Sequence, residues 1–414
     1  MVFNPPLRSR VAIVGTGHRA SNMWGQQLLD GWREQVEFVG LMDINEKRAT
    51  AARRFIGTNA PVYTDFARMI AETKPDTIIV TSRDDTHDAY IIAALEAGCR
   101  VITEKPMTTT PEKAKAILEA EKRTGGHIDV TFNYRFAPTA RKTKELIDAG
   151  EIGEVVSVDF HWYLDTSHGA DYFRRWHAYQ EHSSSLFVHK ATHHFDLLNW
   201  YLSSVPEQVF ATGQLRHYGK NGPFRGEVCS TCPHAAECPF YFDVAKDQLL
   251  YDLYETPSSE DGYHRDGCVF REDIDIYDTM TVALTFRNKV QVSYSLNACM
   301  PIEGHHIAFN GTKGRIEVRQ YEKQPFPVEA GDTIMLAKNF QPTEFIKMPP
   351  TSGGHFGGDN LLRDLLFKQD VPDPFGQRAG ALAGARSMLV GYAALKSSKE
   401  NRPVKLSEFG IAEI

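Results

Sequence analysis

Two short stretches concentrate the ionisable chemistry of this chain. His189 to Asp196 reads HKATHHFD, and His168 to Tyr179 reads HGADYFRRWHAY. If the first is helical, His189, His193 and Asp196 share a stripe with Leu197 and Trp200, and Lys190 and His194 fall on the adjoining face. Two histidines at i and i+4 could ligate a metal. In the HExxH zinc motif, however, a glutamate follows the first histidine; here Lys190 stands there, and a cation opposes metal binding. The alternative is an N-terminal helical turn whose histidines are hydrogen-bonded or solvated. The second stretch, expected as a loop, mixes aromatic rings with cations. Rings stack on sugar faces and polar groups read hydroxyls. Tyr172, Arg175 and His177 are candidates for substrate contact, with His194 beside them; a lid packed on the core is the alternative.

The first third of the chain predicts a scaffold for such chemistry. Arg10 to Val14 is a short apolar strand, followed by Gly15-Thr16-Gly17-His18-Arg19-Ala20 and a helical pattern through Leu29. This is G-x-G-x-x-A. Gly15 permits the tight turn, Gly17 lets backbone approach a pyrophosphate, and Ala20 lets the helix pack on the strand. The helix N-terminus offers free N–H groups to phosphates. A second strand, Val36 to Met42, ends in Asp43. That acid lies about 20 residues beyond the glycine loop, where a ribose-binding carboxylate belongs. It should repel a 2′-phosphate and favour NAD over NADP, although Lys47 and Arg48 lie nearby. Strand and helix patterns alternate onward to Phe132, which predicts a doubly wound parallel sheet. Ligands sit at the carboxyl ends of such strands. Thr81, Ser82, His87, Glu104, Lys105, Asn133 and Arg135 fall there and join Gly15, Thr16, Gly17, His18, Arg19 and Asp43 as expected cofactor contacts.

The bulk properties narrow the partners. The chain has 414 residues, 42% hydrophobic and 24% charged, with a formal net charge of −7. Without a basic run, nucleic acid and anionic membrane are poor partners. No apolar run approaches the ~18 residues of a membrane span, and the start enters a strand without a signal-peptide pattern. Six cysteines are no disulfide scaffold, so the cytoplasm is the expected compartment.

Beyond the glycine loop, TSRDDTH, EKP at Glu104 to Pro106 and NYRF follow successive strands. With GEIGEVVSV, HKATHHFD, FNGTKGRIEV, GGHFGGD and GARSMLVGYAALKSS further on, the chain resembles the glucose–fructose oxidoreductase, inositol dehydrogenase and MocA (Gfo/Idh/MocA) family over most of its length. The resemblance implies an NAD(P)-dependent sugar or polyol oxidoreductase. It implies a Rossmann domain, expected over 1–134, and a second α/β domain over 135–414, whose open, mostly antiparallel sheet often mediates homo-oligomerisation. Lys105 matches the active-site lysine of the EKP motif. His193 matches the acid/base of D-x-x-x-H-x-x-D, and Asp196 its final acid. The chain departs from that pattern at His189, where aspartate is common, and at Lys190 and His194, where apolar residues are usual. His189 and Lys190 are therefore expected as auxiliaries.

These assignments make physical sense. A histidine near pKa ~6.5 can accept a hydroxyl proton at neutral pH, and the Lys105 ammonium can stabilise developing alkoxide charge. A surface salt bridge with Glu104 is the plain alternative for Lys105. Two other activities stay open: an NAD-dependent glycosidase or lyase that oxidises its sugar transiently, and a non-catalytic NAD(H) sensor.

Cys229-x2-Cys232-x5-Cys238 and a later Cys268 fall in a polar insertion at about 225–270. Four thiolates could make a closed, structural zinc site. An iron–sulfur cluster or four unligated thiols are the alternatives.

Overall fold

Buried β-branched runs build the first sheet. In β1 (Ser9–Val14) the four residues Val11 to Val14 are all 0% exposed. β2 (Val36–Met42), β3 (Val62–Tyr63), β4 (Thr77–Val80), β5 (Arg100–Thr103) and β6 (Ile128–Val130) complete six parallel strands in the order β3-β2-β1-β4-β5-β6. Continuous apolar strands are what a sheet covered by helices on both faces requires. The helices carry clear start signals. Asn45 caps Glu46–Ile56 by accepting from the Arg48 N–H, and Thr110 caps Pro111–Thr124 with proline in the first turn. The strand order reverses between β1 and β4, which opens a crevice at their carboxyl ends. The computed structural model describes residues 4–328, 331–351 and 353–411.

The second sheet has nine strands: β7 (Val155–Asp165), β8 (Pro206–Gln214), β9 (Thr279–Phe286), β10 (Gln291–Met300), β11 (Glu303–Gly311), β12 (Gly314–Lys323), β13 (Thr333–Lys338), β14 (Glu344–Lys347) and β15 (Val404–Lys405). Their order is β14-β13-β12-β11-β7-β10-β9-β8-β15. Among the described residues only the β7–β10 pair of this sheet is parallel. Along β7, buried Val158, Phe160, Trp162 and Leu164 alternate with half-exposed Ser157, Asp159, His161 and Tyr163. The buried face packs on the helices Thr192–Leu202 and Ala381–Glu400. The other face is open and polar, as period-two patterning requires.

Two segments of the second half return to the first sheet. Leu362, Leu365, Leu366 and Phe367 of the helix Gly358–Phe367 share a core with Val11 and Ile13 of β1. Leu253 and Tyr254, from the insertion between β8 and β9, join the same core.

Two local expectations need correction. The stretch His168–Tyr179 is not a loop: a helix runs Thr166–Arg174, capped by Asp165 accepting from the Ser167 N–H, and a 3-10 turn covers Trp176–Ala178. The HKATHHFD stretch is not one helix. A turn over Leu186–His189 ends before the helix Thr192–Leu202 begins. The Ala191 N–H reaches back to the Leu186 carbonyl at 2.8 Å, and the His194 N–H to the Ala191 carbonyl at 2.9 Å. The ladder thus passes from i−5 to i−3, and this kink turns His189 off the stripe that holds His193.

Candidate active site in the interdomain cleft

A cleft of about 970 Å³ runs from the glycine loop to the second sheet. Gly15 sets its floor. Its φ is +83°, and a Cβ there would stand 2.5 Å from the Ser82 backbone, so the β1 and β4 turns can meet only at glycine. Gly15, Gly17, His18, Arg19, Asp43, Thr81, Ser82, His87, Glu104 and Lys105 line the cleft. This row of turn backbone and polar side chains fits a dinucleotide at the switch point. Thr16 turns inward; its N–H and hydroxyl both donate to Asp43 Oδ2, at 2.8 and 3.1 Å. Asp43 Oδ1 accepts from Asn45 N at 3.0 Å and Arg48 Nη1 at 3.0 Å. Arg48 also pairs with Asp261 at 2.5 Å. The Asp43 carboxylate is therefore fixed from within, and the Arg48 charge is matched twice. His87 braces the Pro106 and Ser82 carbonyls.

Glu104 does not pair with Lys105. It accepts from Arg19 Nε at 2.7 Å and Trp24 Nε1 at 2.8 Å. Lys105 is left to the cleft, with its Nζ donating to the His189 carbonyl at 3.1 Å. Burial pushes the Lys105 ammonium down to about 8, with Asp84 opposing and Lys190 adding to the fall. His193 enters from the second domain, 2% exposed, and its ring meets Tyr134 edge-on at 4.8 Å. Its Nδ1 is buried and has no hydrogen-bond partner among the described residues. Burial, then the Lys105 charge, holds His193 well below the ordinary histidine pKa. It is a neutral imidazole at neutral pH, able to accept a proton.

The kink gives His189 a different partner. Its Nδ1 lies 2.6 Å from Asp84 Oδ2. Burial raises the Asp84 carboxyl and lowers His189. Lys190 Nζ lies 5.2 Å from the Trp162 ring centroid and 5.7 Å from that of Tyr134, a cation–π seat. His168, Tyr172, Arg175, Trp176 and His177 also line the cleft, and the Tyr172 and His177 rings lie edge-on to His189 at 5.3 and 4.2 Å. Arg175 pairs with Asp171 at 2.8 Å, and the His177 ring stacks on Trp176 at 3.6 Å.

Besides Thr16, three expected contacts lie outside the cleft lining. Asn133 Nδ2 donates to Asp359 Oδ1 at 2.8 Å. Arg135 grips Asp196 through Nε and Nη2 at 2.6 and 2.5 Å. His194 sits in the core, stacked on Trp162 at 4.0 Å and bonded to the Tyr294 hydroxyl at 2.7 Å. In each case a partner distant in sequence claims the side chain. Conversely, the cleft takes Asp84, Tyr254, Tyr263, Glu322 and His355, which sequence reasoning passed over. Asp84 and His355 lie inside the quoted TSRDDTH and GGHFGGD stretches, so their signal was legible. Tyr254, Tyr263 and Glu322 carry no local pattern.

The four cysteines, all free thiols, line one small cavity in the insertion. Their sulfurs are not preassembled. Among the described residues, the group of three or more possible ligands with donor atoms all within 4.8 Å of one another is Glu255, His264 and Asp266.

Comparison with known proteins agrees with this architecture. Residues 9–132 match the oxidoreductase-family NAD-binding Rossmann fold, and residues 144–406 match the C-terminal α/β domain of the same family. YteT of Bacillus subtilis (strain 168), named as an oxidoreductase, is 38% identical over 96% of this chain and 98% of its own. D-glucoside 3-dehydrogenase of Escherichia coli (strain K12) is 33% identical, over 35% of this chain and 41% of its own. The WlbA dehydrogenase of Bordetella pertussis, solved with NADH and UDP-GlcNAcA, shares the fold at a TM-score of 0.66 with 18% identity, over 96% of this chain and 98% of its own. Two family models that together span most of the chain, and a full-length relative, place this chain in the Gfo/Idh/MocA oxidoreductase family.

Proposed function

We propose that this protein is an NAD-dependent dehydrogenase acting on a CH–OH group of a sugar or sugar derivative. One observation carries the reading: Lys105, from the end of β5, and His193, from the second domain, face one cleft with complementary protonation. Bound nicotinamide would supply the hydride acceptor for the carbinol carbon. His193 accepts the hydroxyl proton on its imidazole, and the Lys105 ammonium hydrogen-bonds the same oxygen as charge develops. His189, held by Asp84, orients the Lys105 ammonium through its carbonyl. Lys190 and the Tyr172–Arg175–His177 wall bind the substrate's other groups. Relatives named for glucosides and inositol support the substrate class.

NAD is favoured over NADP because the Asp43 carboxylate follows β2 and Arg48, tied to Asp43 and Asp261, has no charge to spare for a 2′-phosphate. The division at residue 134, assembly of copies through the open sheet and a cytoplasmic location belong to the same reading.

The test is electron bookkeeping. Protein and NAD are incubated with free sugars and sugar acids, and separately with aryl glycosides, while NADH absorbance and aryl release are followed together. The expected result is NADH formed in proportion to sugar oxidised, without aryl release. Aryl release with a flat NADH signal would assign an internal-redox glycosidase instead. Nucleotide binding with neither product would leave only a sensor.

A further inference from the structure

The insertion at residues 215–278 holds chemistry that the cleft does not use. Cys229, Cys232 and Cys238 come from one loop, and Cys268 arrives from a separate segment to line the same cavity. An isolated antiparallel bridge, Val228 with Gly267, joins the two segments. The Cys229 N–H donates to the Asp266 carbonyl at 2.8 Å, and the Cys268 N–H to the Glu227 carbonyl at 2.8 Å. Side chains alternate across such a pair. Cys229 and Cys268 each lie one residue from the bridge, so they project to the same face. A tight turn, Cys232 N–H to the Cys229 carbonyl at 3.2 Å, carries Cys232 round; another, Cys238 N–H to the His234 carbonyl at 3.0 Å, returns Cys238.

Arg174 is an independent observation. It is 7% exposed. Its Nη1 donates to Cys229 Sγ at 3.3 Å and to the Gly267 carbonyl at 3.4 Å, and its Nη2 to the Phe240 carbonyl. No carboxylate pairs with it among the described residues, whereas the neighbouring Arg175 has Asp171. A buried guanidinium without a counter-charge is costly. The Cys268 sulfur likewise accepts an N–H, from Phe270 at 3.4 Å. Donors and a lone cation aimed at sulfur suit thiolate rather than thiol.

We propose that Cys229, Cys232, Cys238 and Cys268 form a tetrathiolate zinc site, with Arg174 as its buried counter-charge. Binding exchanges four thiol protons for one Zn²⁺ and draws the sulfurs, now apart, to ~2.3 Å from the metal by side-chain rotation about the cavity they share. Four protein ligands leave no open position, so the site is structural. It fastens a segment that has few strands of its own and that supplies Tyr254, Asp261 and Tyr263 to the cleft wall.

The test uses the full chain, purified without chelator, then stripped and reloaded with zinc or cobalt(II). The expected result is one zinc per chain, and a cobalt form with the intense thiolate-to-metal absorption of tetrahedral sulfur coordination. Cys232→Ser should lose both. Arg174→Met should keep one zinc per chain but bind it ~10–100-fold more weakly in chelator competition, the usual cost of removing an outer partner, with recovery in Arg174→Lys. If Cys232→Ser fails to fold, the cobalt spectrum of the unaltered chain decides. A folded chain that takes up neither metal would overturn the proposal. So would cobalt without a thiolate band that is lost in His264→Ala, which would move the metal to Glu255, His264 and Asp266. Iron with acid-labile sulfide would overturn zinc.

Discussion

In the proposed reaction Lys105 and His193 divide the proton work by environment. Burial lowers both, but their ordinary values differ by so much that one stays charged where the other is neutral. Lys105→Ala and His193→Ala should each lower turnover by ~10²–10⁴-fold, with NAD affinity, read by fluorescence titration, nearly unchanged. The pH profile carries a sign. Below about 8 Lys105 is an ammonium and above it an amine, while His193 is neutral across the whole neutral range. The kcat/KM for alcohol oxidation should therefore be flat through neutrality and fall as pH rises through about 8. Lys105→Ala should lose that alkaline limb. A rate that climbs through pH 8 would make the Lys105 amine the base. These two residues were legible because EKP and the late histidine helix carry local patterns. His189 was legible as a type but not as a role: its carboxylate, Asp84, lies 105 residues earlier.

At the scale of elements, one buried pair joins the turn after β6 to the helix Thr192–Leu202. Arg135 and Asp196 are 6% and 1% exposed, and the pair is bidentate. Position alone suggested a cofactor contact for Arg135, and the family resemblance made Asp196 the final acid of the histidine motif. The fold uses each to satisfy the other, which no spacing rule reveals across 61 residues. Removing one partner leaves a charge in the core. Arg135→Met should cost about 3–5 kcal/mol in urea unfolding, and adding Asp196→Leu should recover most of the loss. Equal stability for the single and double variants would show that the charge is not what is lost. The parallel sheet was readable from apolar runs and caps because its determinants are local. The kink at Lys190–Ala191 was not, because it arises from where Leu186 and Thr192 must pack.

At the scale of the whole molecule, the insertion closes over the end of the cleft formed by the glycine loop and Asp43. Asn45 Nδ2 donates to the Pro257 carbonyl at 2.9 Å, Arg48 Nε to the Leu253 carbonyl at 3.1 Å, and the His18 N–H to the Tyr254 hydroxyl at 2.8 Å. The last contact matters most. The His18 N–H belongs to the glycine loop, whose amides should receive a pyrophosphate, and the Tyr254 oxygen already occupies it. The same oxygen stands 2.9 Å from where a Cβ on Gly17 would be. If a dinucleotide phosphate takes that amide, Tyr254 competes with it and binding would displace the hydroxyl. Tyr254→Phe removes the acceptor while keeping the ring against Arg48. One neutral hydrogen bond is worth about 0.5–1.5 kcal/mol, so the variant should bind NAD roughly 2–10-fold more tightly by calorimetry. Limited proteolysis supplies the conformational readout: NAD should change cleavage within 215–278 in the unaltered protein, and less so in Tyr254→Phe. Weaker binding in Tyr254→Phe would reverse the assignment and make the hydroxyl a ligand of the phosphates.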